Sequence, residues 1–243
     1  MKIDEFLELV RKRRSVREFK STPIPDEYVE KILEAARWAM SGGNGQPWEF
    51  IVVRDPIVKK RIAEAVFEQR KIEFEIEKTR IEDLRHPGLR NLADIPDFSE
   101  APVLIVVCGD RRTLMATVLS HTFIGGEGGP GAVYLKNMAN ATQNMQLAAA
   151  ALGLGAEWVS VARSVEGSIK SILGVPALLE VHTVIPVGYA KHESTPAYRR
   201  ELQEMVHSEK YDMSKFRSIN DIIEYLAALR KKTKPAYWKA GQH

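Results

Sequence analysis

The chain has 243 residues, enough for one large domain with a sizeable buried core and short for two independent ones. With 44% hydrophobic and 28% charged residues it sits in the globular range, which sets aside disorder and fibrous repeats. The 35 Lys and Arg against 32 Asp and Glu leave a balance of +3 spread along the sequence, which does not suggest nucleic-acid binding, and no stretch is apolar for long enough to read as a membrane span or signal peptide.

Phe6, Leu9, Val10 and Arg13 recur at helical spacing behind Asp4, which predicts a short amphipathic helix over 4–13 that ends in the basic cluster of Arg11, Lys12, Arg13, Arg14 and Arg17. Pro23 and Pro25 break the chain, and Val29, Ile32, Leu33 and Ala36 mark one face of a second helix that stops near Met40. Ser41-Gly42-Gly43-Asn44-Gly45 cannot easily continue that helix and leads into a strand at Phe50 to Val53. Residues 57–82 are helical in propensity and densely charged, whereas Pro87, Gly88 and Pro96 make 83–100 irregular; the stretch 57–98 reads as a surface excursion and lid.

The apolar run Val103 to Val107 predicts a strand buried on both faces. It leads into Cys108, whose lack of a partner rules out an intrachain disulfide and fits a reducing, cytoplasmic location. Residues 109–132 read as an irregular loop. Val133 to Leu152 carries one charge, Lys136, and predicts a central helix that is apolar nearly all round. A short strand at Trp158 to Val161, a helix at Val165 to Leu173 and a buried strand at Val181 to Val187 follow. The chain is then polar until Ser218, which with Asp221 caps a last helix bearing Ile219, Ile222, Ile223, Leu226 and Leu229. These elements alone allow a three-layer α/β or α+β fold.

Gly126-Glu127-Gly128-Gly129-Pro130-Gly131 matches G-x-G-x-x-G, but the nearest predicted strand ends about twenty residues earlier, where a dinucleotide site needs it adjacent. Hydrolase and metal motifs are absent, and no metal site is expected. Of the six histidines, His182 reads as a core residue and His121 alone is kept as a site candidate.

The informative constellation is Arg13-Arg14-Ser15-Val16-Arg17, followed a helix later by Ser41-Gly42-Gly43-Asn44-Gly45-Gln46-Pro47-Trp48. Arginine forks and a hydroxyl within five residues can hold a phosphate, and an Asn/Gln pair on a glycine loop can match the edge of a heterocycle. Together these segments resemble the nitroreductase superfamily. Leu152-Gly153-Leu154-Gly155 with Trp158, Leu173-Gly174-Val175-Pro176, Ile185-Pro186-Val187-Gly188-Tyr189 and Arg199-Arg200-Glu201-Leu202 continue the resemblance in the family's order, over most of residues 9–212.

The resemblance implies an α+β, three-layer nitroreductase-like fold, a mixed and mainly antiparallel sheet flanked by helices. It also implies one FMN-binding domain over 1–243 in an intertwined homodimer, with a C-terminal segment at 213–243 wrapped on the partner. By motif, Arg13, Ser15 and Arg199 would contact the FMN phosphate, with Arg14 and Arg200 beside them. Arg17 would lie near the flavin pyrimidine edge. Ser41, Gly42, Asn44 and Gln46 would reach the flavin of the neighbouring subunit, in a loop made looser by Met40, Gly42 and Gly43. The backbone around Val159 to Val161 would serve flavin N5, with Ser160 as a side-chain partner.

The function implied is an FMN-dependent oxidoreductase that takes hydride from NADH or NADPH and reduces nitroaromatic, quinone or similar conjugated acceptors by a ping-pong mechanism. The alternatives are a reductive dehalogenase or deiodinase-like flavoenzyme on the same fold, using Arg70, Glu73 or Lys78 of the excursion, and a non-catalytic FMN-binding protein.

Overall fold

The structure, a computed structural model, describes residues 2–85, 95–116, 129–193 and 198–232. The chain divides into two compact units, one of Met1–Gln69 with Pro96–Glu193 and one of Arg70–Ile95 with Ser194–His243. The first unit is built on five strands: β1 (Trp48–Val53), β2 (Val103–Asp110), β3 (Gly155–Ala156), β4 (Val159–Ser160) and β5 (Leu179–Gly188). The order is β1-β2-β5-β3, with β4 also on β5, and all these pairings are antiparallel. A parallel bridge between Ser15 and Ala156 makes the sheet mixed.

Residues 103–108 of β2 and 184–187 of β5 are apolar without interruption because both faces of the sheet are covered there, whereas the start of β5 carries Glu180, His182 and Thr183. Val103, Ile105, Val107, Ile185 and Val187 cluster with Ile32 and Ala36 of α2 (Asp26–Arg37) and with Tyr134, Met138 and Met145 of α4 (Gly129–Ala151). Leu104, Val106, Cys108, Val181 and Val184 cluster with Ile62 and Val66 of α3 (Pro56–Lys78) and with Val165 and Ile169 of α5 (Arg163–Leu173). The result is a three-layer α+β sandwich, helices on both faces of a mainly antiparallel sheet. A bulge between Val107 and Cys108 leaves His182 as the extra residue of β5, which is why Val181 and Val184 share a face although three positions apart.

Several elements differ from the sequence reading. α2 ends at Arg37, short of Met40, because α4 takes over the backbone beyond it: the side-chain amide of Asn144 donates to Ala35 O at 2.9 Å and that of Asn140 to Met40 O at 3.0 Å. α4 is therefore not apolar nearly all round. Its amides at 137, 140 and 144 form a stripe that serves the backbone of Gly42, Met40 and Ala35. It also starts at Gly129, so the described part of the glycine-rich match opens a helix rather than a loop. β2 runs on to Asp110 and a 3-10 helix spans Arg111–Ala116, which shortens the loop expected over 109–132 at both ends. Residues 117–128, with His121, lie outside the described ones.

The excursion expected at 57–98 also begins later. Ile62, Ala63 and Val66 on α3 are buried in the core, and the buried Lys59 ammonium donates to Ala101 O. Residues up to Gln69 belong to the first unit. In the second unit α6 (Ile219–Lys232) has the predicted capping box, with Ser218 N donating to Asp221 Oδ2 at 2.7 Å and Asp221 N to Ser218 Oγ at 3.2 Å. The 3-10 turn Glu82–Leu84 packs against it. Among the described residues no helix is long and apolar enough to cross a membrane.

Candidate functional site

α1 (Ile3–Lys12) ends where Arg13 N donates to Leu9 O at 3.0 Å, and from there the chain runs extended along β3. Ser15 bridges Ala156, and Val16 N donates to Ala156 O at 3.0 Å. Gly155 permits this approach, since a Cβ there would run into the Val16 side chain. Beside the bridge, Arg17 Nε donates to Glu157 Oε1 at 3.0 Å, a carboxylate that is almost wholly buried. Arg13 Nη1 donates to Gln146 Oε1 on α4 at 3.3 Å, and Arg14 Nη1 to Arg13 O at 2.8 Å and to Arg11 O. Three guanidinium groups and a hydroxyl thus line one extended segment, with one buried carboxylate against them. Such a set of fixed cationic donors suits an anion.

The loop after α2 is shaped by backbone that few residues adopt. Gly43, Asn44 and Gln46 have φ of 60°, 53° and 42°. Asn tolerates the left-handed region, whereas Gln46 there is strained, a feature that collects at functional sites. The loop, expected to be loose, is tied down. Gly42 N donates to Asn137 Oδ1 at 3.0 Å, Gln46 N to Ser41 Oγ at 3.1 Å and Gln46 Nε2 to Asn44 O at 3.2 Å. With Gly45 N on its carbonyl as well, Gly42 has both backbone groups engaged inside the protomer. Asn44 and Gln46 are exposed.

β4 presents Val159 buried and Ser160 exposed. Thr183 Oγ1 donates to Val159 O at 2.7 Å, and Ala162 N donates to the buried Gln69 Oε1 at 2.9 Å, so both ends of this short segment are fixed. Arg199 and Arg200 belong to the second unit, Arg199 Nη1 donating to Tyr198 O at 2.8 Å and Arg200 Nε to Glu204 Oε2 at 3.0 Å.

The structure therefore gathers Arg13, Arg14, Ser15 and Arg17 along Gly155–Glu157, next in sequence to Val159 and Ser160. The 41–46 loop is anchored elsewhere in the chain. The two segments are anchored to α4 at Gln146 and Asn137, nine residues apart, or about 14 Å along a helix axis. Sequence reasoning missed Gln146, Asn137 and Glu157. The signal for the first two was present as amides inside an almost uncharged helix, since a buried amide needs a partner. Glu157 gave no such signal, because only the bridge to Ser15 reveals what it faces.

Cys108 is buried, and burial pushes its thiol up to about 11, so it stays protonated near neutral pH and is no nucleophile. Among the described residues no group of three or more His, Cys, Asp or Glu side chains could hold a metal ion.

Known proteins resemble this chain in sequence and fold. The model of the nitroreductase family matches residues 10–189. A protein from Archaeoglobus fulgidus, provisionally named an NADH dehydrogenase/NAD(P)H nitroreductase, is 33% identical over 86% of this chain and all of its own. Iodotyrosine deiodinase 1 of Mus musculus is 30% identical over 85% of this chain and 70% of its own. Among solved structures, an FMN-dependent nitroreductase from Clostridium difficile superimposes with a TM-score of 0.59 at 24% identity, covering 84% of this chain and 99% of its own, which is a likeness of fold. With the family model spanning most of its length, the chain belongs to the nitroreductase family, whose members are oxidoreductases.

Proposed function

We propose that the protein is an FMN-dependent oxidoreductase that takes hydride from NADH or NADPH and delivers electrons to a flat conjugated acceptor such as a nitroaromatic or a quinone. The observation that carries this reading is the row of Arg13, Arg14, Ser15 and Arg17 along β3. Its chemistry fits FMN: two arginines and a hydroxyl for a dianionic phosphate, then a cation further along for the electron-rich edge of a ring. The names of relatives, NADH dehydrogenase and NAD(P)H nitroreductase, support the hydride donor.

FMN, when bound, supplies the two-electron carrier that a side chain cannot. In our reading Arg13 and Ser15 hold the phosphate with Arg14 beside them, and Arg199 and Arg200 join on the motif alone. Arg17, fixed by Glu157, places guanidinium donors at the pyrimidine edge, where charge grows on reduction. The backbone of Val159 and Ser160, fixed at Thr183 and Gln69, offers an N–H towards N5. Ser41, Asn44 and Gln46 act on the flavin of the neighbouring subunit, for which the separate anchoring of their loop on α4 speaks. Gly42, with both backbone groups engaged, serves by permitting close approach. Nicotinamide and acceptor would take the same place in turn, a ping-pong order.

The test uses two flavins. Arg13→Ala and Arg199→Ala should each weaken FMN binding about ten- to a hundred-fold, the range for hydrogen bonds to charged groups, and riboflavin binding much less, because riboflavin has no phosphate. Equal losses for both would mean the arginines act through the fold. A colourless protein that FMN cannot reconstitute would remove the reading altogether.

The mouse deiodinase relative favours a second reading, reductive removal of halogen from a halogenated tyrosine by the same flavin site. Of the residues expected to serve it, Lys78 is paired with Glu75 at 2.7 Å and lies over the Phe74 ring. Iodide release from 3-iodotyrosine by the reduced enzyme separates the two readings.

A further inference from the structure

We propose that Gln146 is a positioning residue for phosphate recognition: from α4 its side-chain carbonyl orients the Arg13 guanidinium towards the phosphate of the flavin. The proposal rests on the FMN reading above and adds to it a residue that no part of the Arg-Arg-Ser motif contains.

Gln146 is 6% exposed and flanked by Met145 and Leu147, with Thr142, Gln143 and Asn144 in the turn before it and only Ala148 to Ala151 in the turn after it. An apolar side chain would fill such a position at least as well, and a buried amide is costly there unless it is bonded. Its side-chain carbonyl accepts from Arg13 Nη1 at 3.3 Å, across 133 residues of sequence. A guanidinium is a rigid planar fork, so a bond to one terminal nitrogen sets the plane of all its donors.

The partner's charge matters as well. Arg17, four residues on, is paired with the buried carboxylate of Glu157, whereas the Arg13 partner on α4 is a neutral amide. A neutral acceptor orients the cation without itself cancelling any of its charge. A carboxylate in the same place would offset that charge and repel the phosphate.

The experiment measures FMN and riboflavin affinities of the flavin-stripped full-length protein and its variants. Gln146→Leu should weaken FMN about five-fold, the effect of one hydrogen bond, and leave riboflavin unchanged. Gln146→Glu should weaken FMN further than Gln146→Leu, because charge is then lost as well as orientation. In an Arg13→Ala background Gln146→Leu should have no further effect on FMN, since the amide acts through that arginine.

Equal losses for the two flavins, or additivity with Arg13→Ala, would overturn the proposal. Should Gln146→Leu not fold, Gln146→Met, close to it in length, takes its place, and failure of both to fold would assign Gln146 to the core and overturn it too. A wild type that binds FMN no better than riboflavin would remove the phosphate reading and this proposal with it. A wild type that discriminates, with Gln146→Leu discriminating equally, would overturn the role of Gln146 alone.

Discussion

His182 shows how a single side chain can carry a cost that the fold accepts. As the extra residue of the β5 bulge it is held beside Trp158, ring centroids 5.9 Å apart, and its Nε2 is buried with no partner among the described residues. Burial lowers its pKa below the ordinary value near 6.5, so the folded protein holds it neutral. The unfolded chain takes up a proton as pH falls through about 6.5 and the folded one only at lower pH, so folding stability is lost in that direction. Wild type should accordingly lose stability between pH 7 and pH 5, and His182→Leu should lose less over the same interval. Denaturant midpoints at the two pH values check this, and parallel slopes for the two proteins would refute it. Sequence placed this histidine in a buried strand but read it as satisfied, since a bulge one strand away in space leaves no mark on the local pattern.

At the scale of elements, α3 is the case where sequence and structure part. Its dense charge made 57–98 read as an excursion, yet Ile62, Ala63 and Val66 on the same helix complete one face of the core. Ile62→Ala should therefore cost about 2–5 kcal/mol of stability, the range for emptying a core site. Replacing 71–94 by a short linker should leave FMN bound while changing the acceptor KM, as a lid would; urea titration and steady-state kinetics test the two halves, and loss of FMN with the linker would end the lid reading. The rest of the fold was legible where one element decides its own pattern. β2 and β5 were readable as strands buried on both faces, and Ser218 with Asp221 marked the start of α6. What was not legible depends on another element's surface. The end of α2 is set by Asn140 and Asn144 on α4, and the 41–46 loop by Asn137, residues that local periodicity counts only as breaks in an apolar helix. The candidate site divides the same way: Arg13, Ser15 and Arg17 stood in a motif, while Gln146 and Glu157 became visible only through what they touch.

For the whole molecule the question is what covers the apolar surface that one chain leaves open. α1 has no buried residue, and Ile3, Phe6, Leu7 and Val10, one face at i, i+3, i+4 and i+7 spacing, are all exposed. A helix of ten residues is marginal in water without tertiary packing, so this face argues for a partner. In the second unit Leu202, Met205, Val206, Met213, Phe216, Ile219 and Ile223 are exposed as well. A second copy is the partner that also accounts for the 41–46 loop, which is shaped as a site yet anchored on α4 nine residues from the anchor of Arg13. We therefore predict a homodimer with no stable flavin-loaded monomer, its C-terminal segment at 213–243 lying on the partner. Light scattering should give about twice the 27.4 kDa chain mass. Leu7→Glu and truncation before residue 213 should each lower that mass and release FMN in parallel, because a site shared between subunits cannot outlast the dimer. A monomeric variant that still holds FMN as tightly as wild type would show that each chain carries a complete site, and the two-subunit reading would fall.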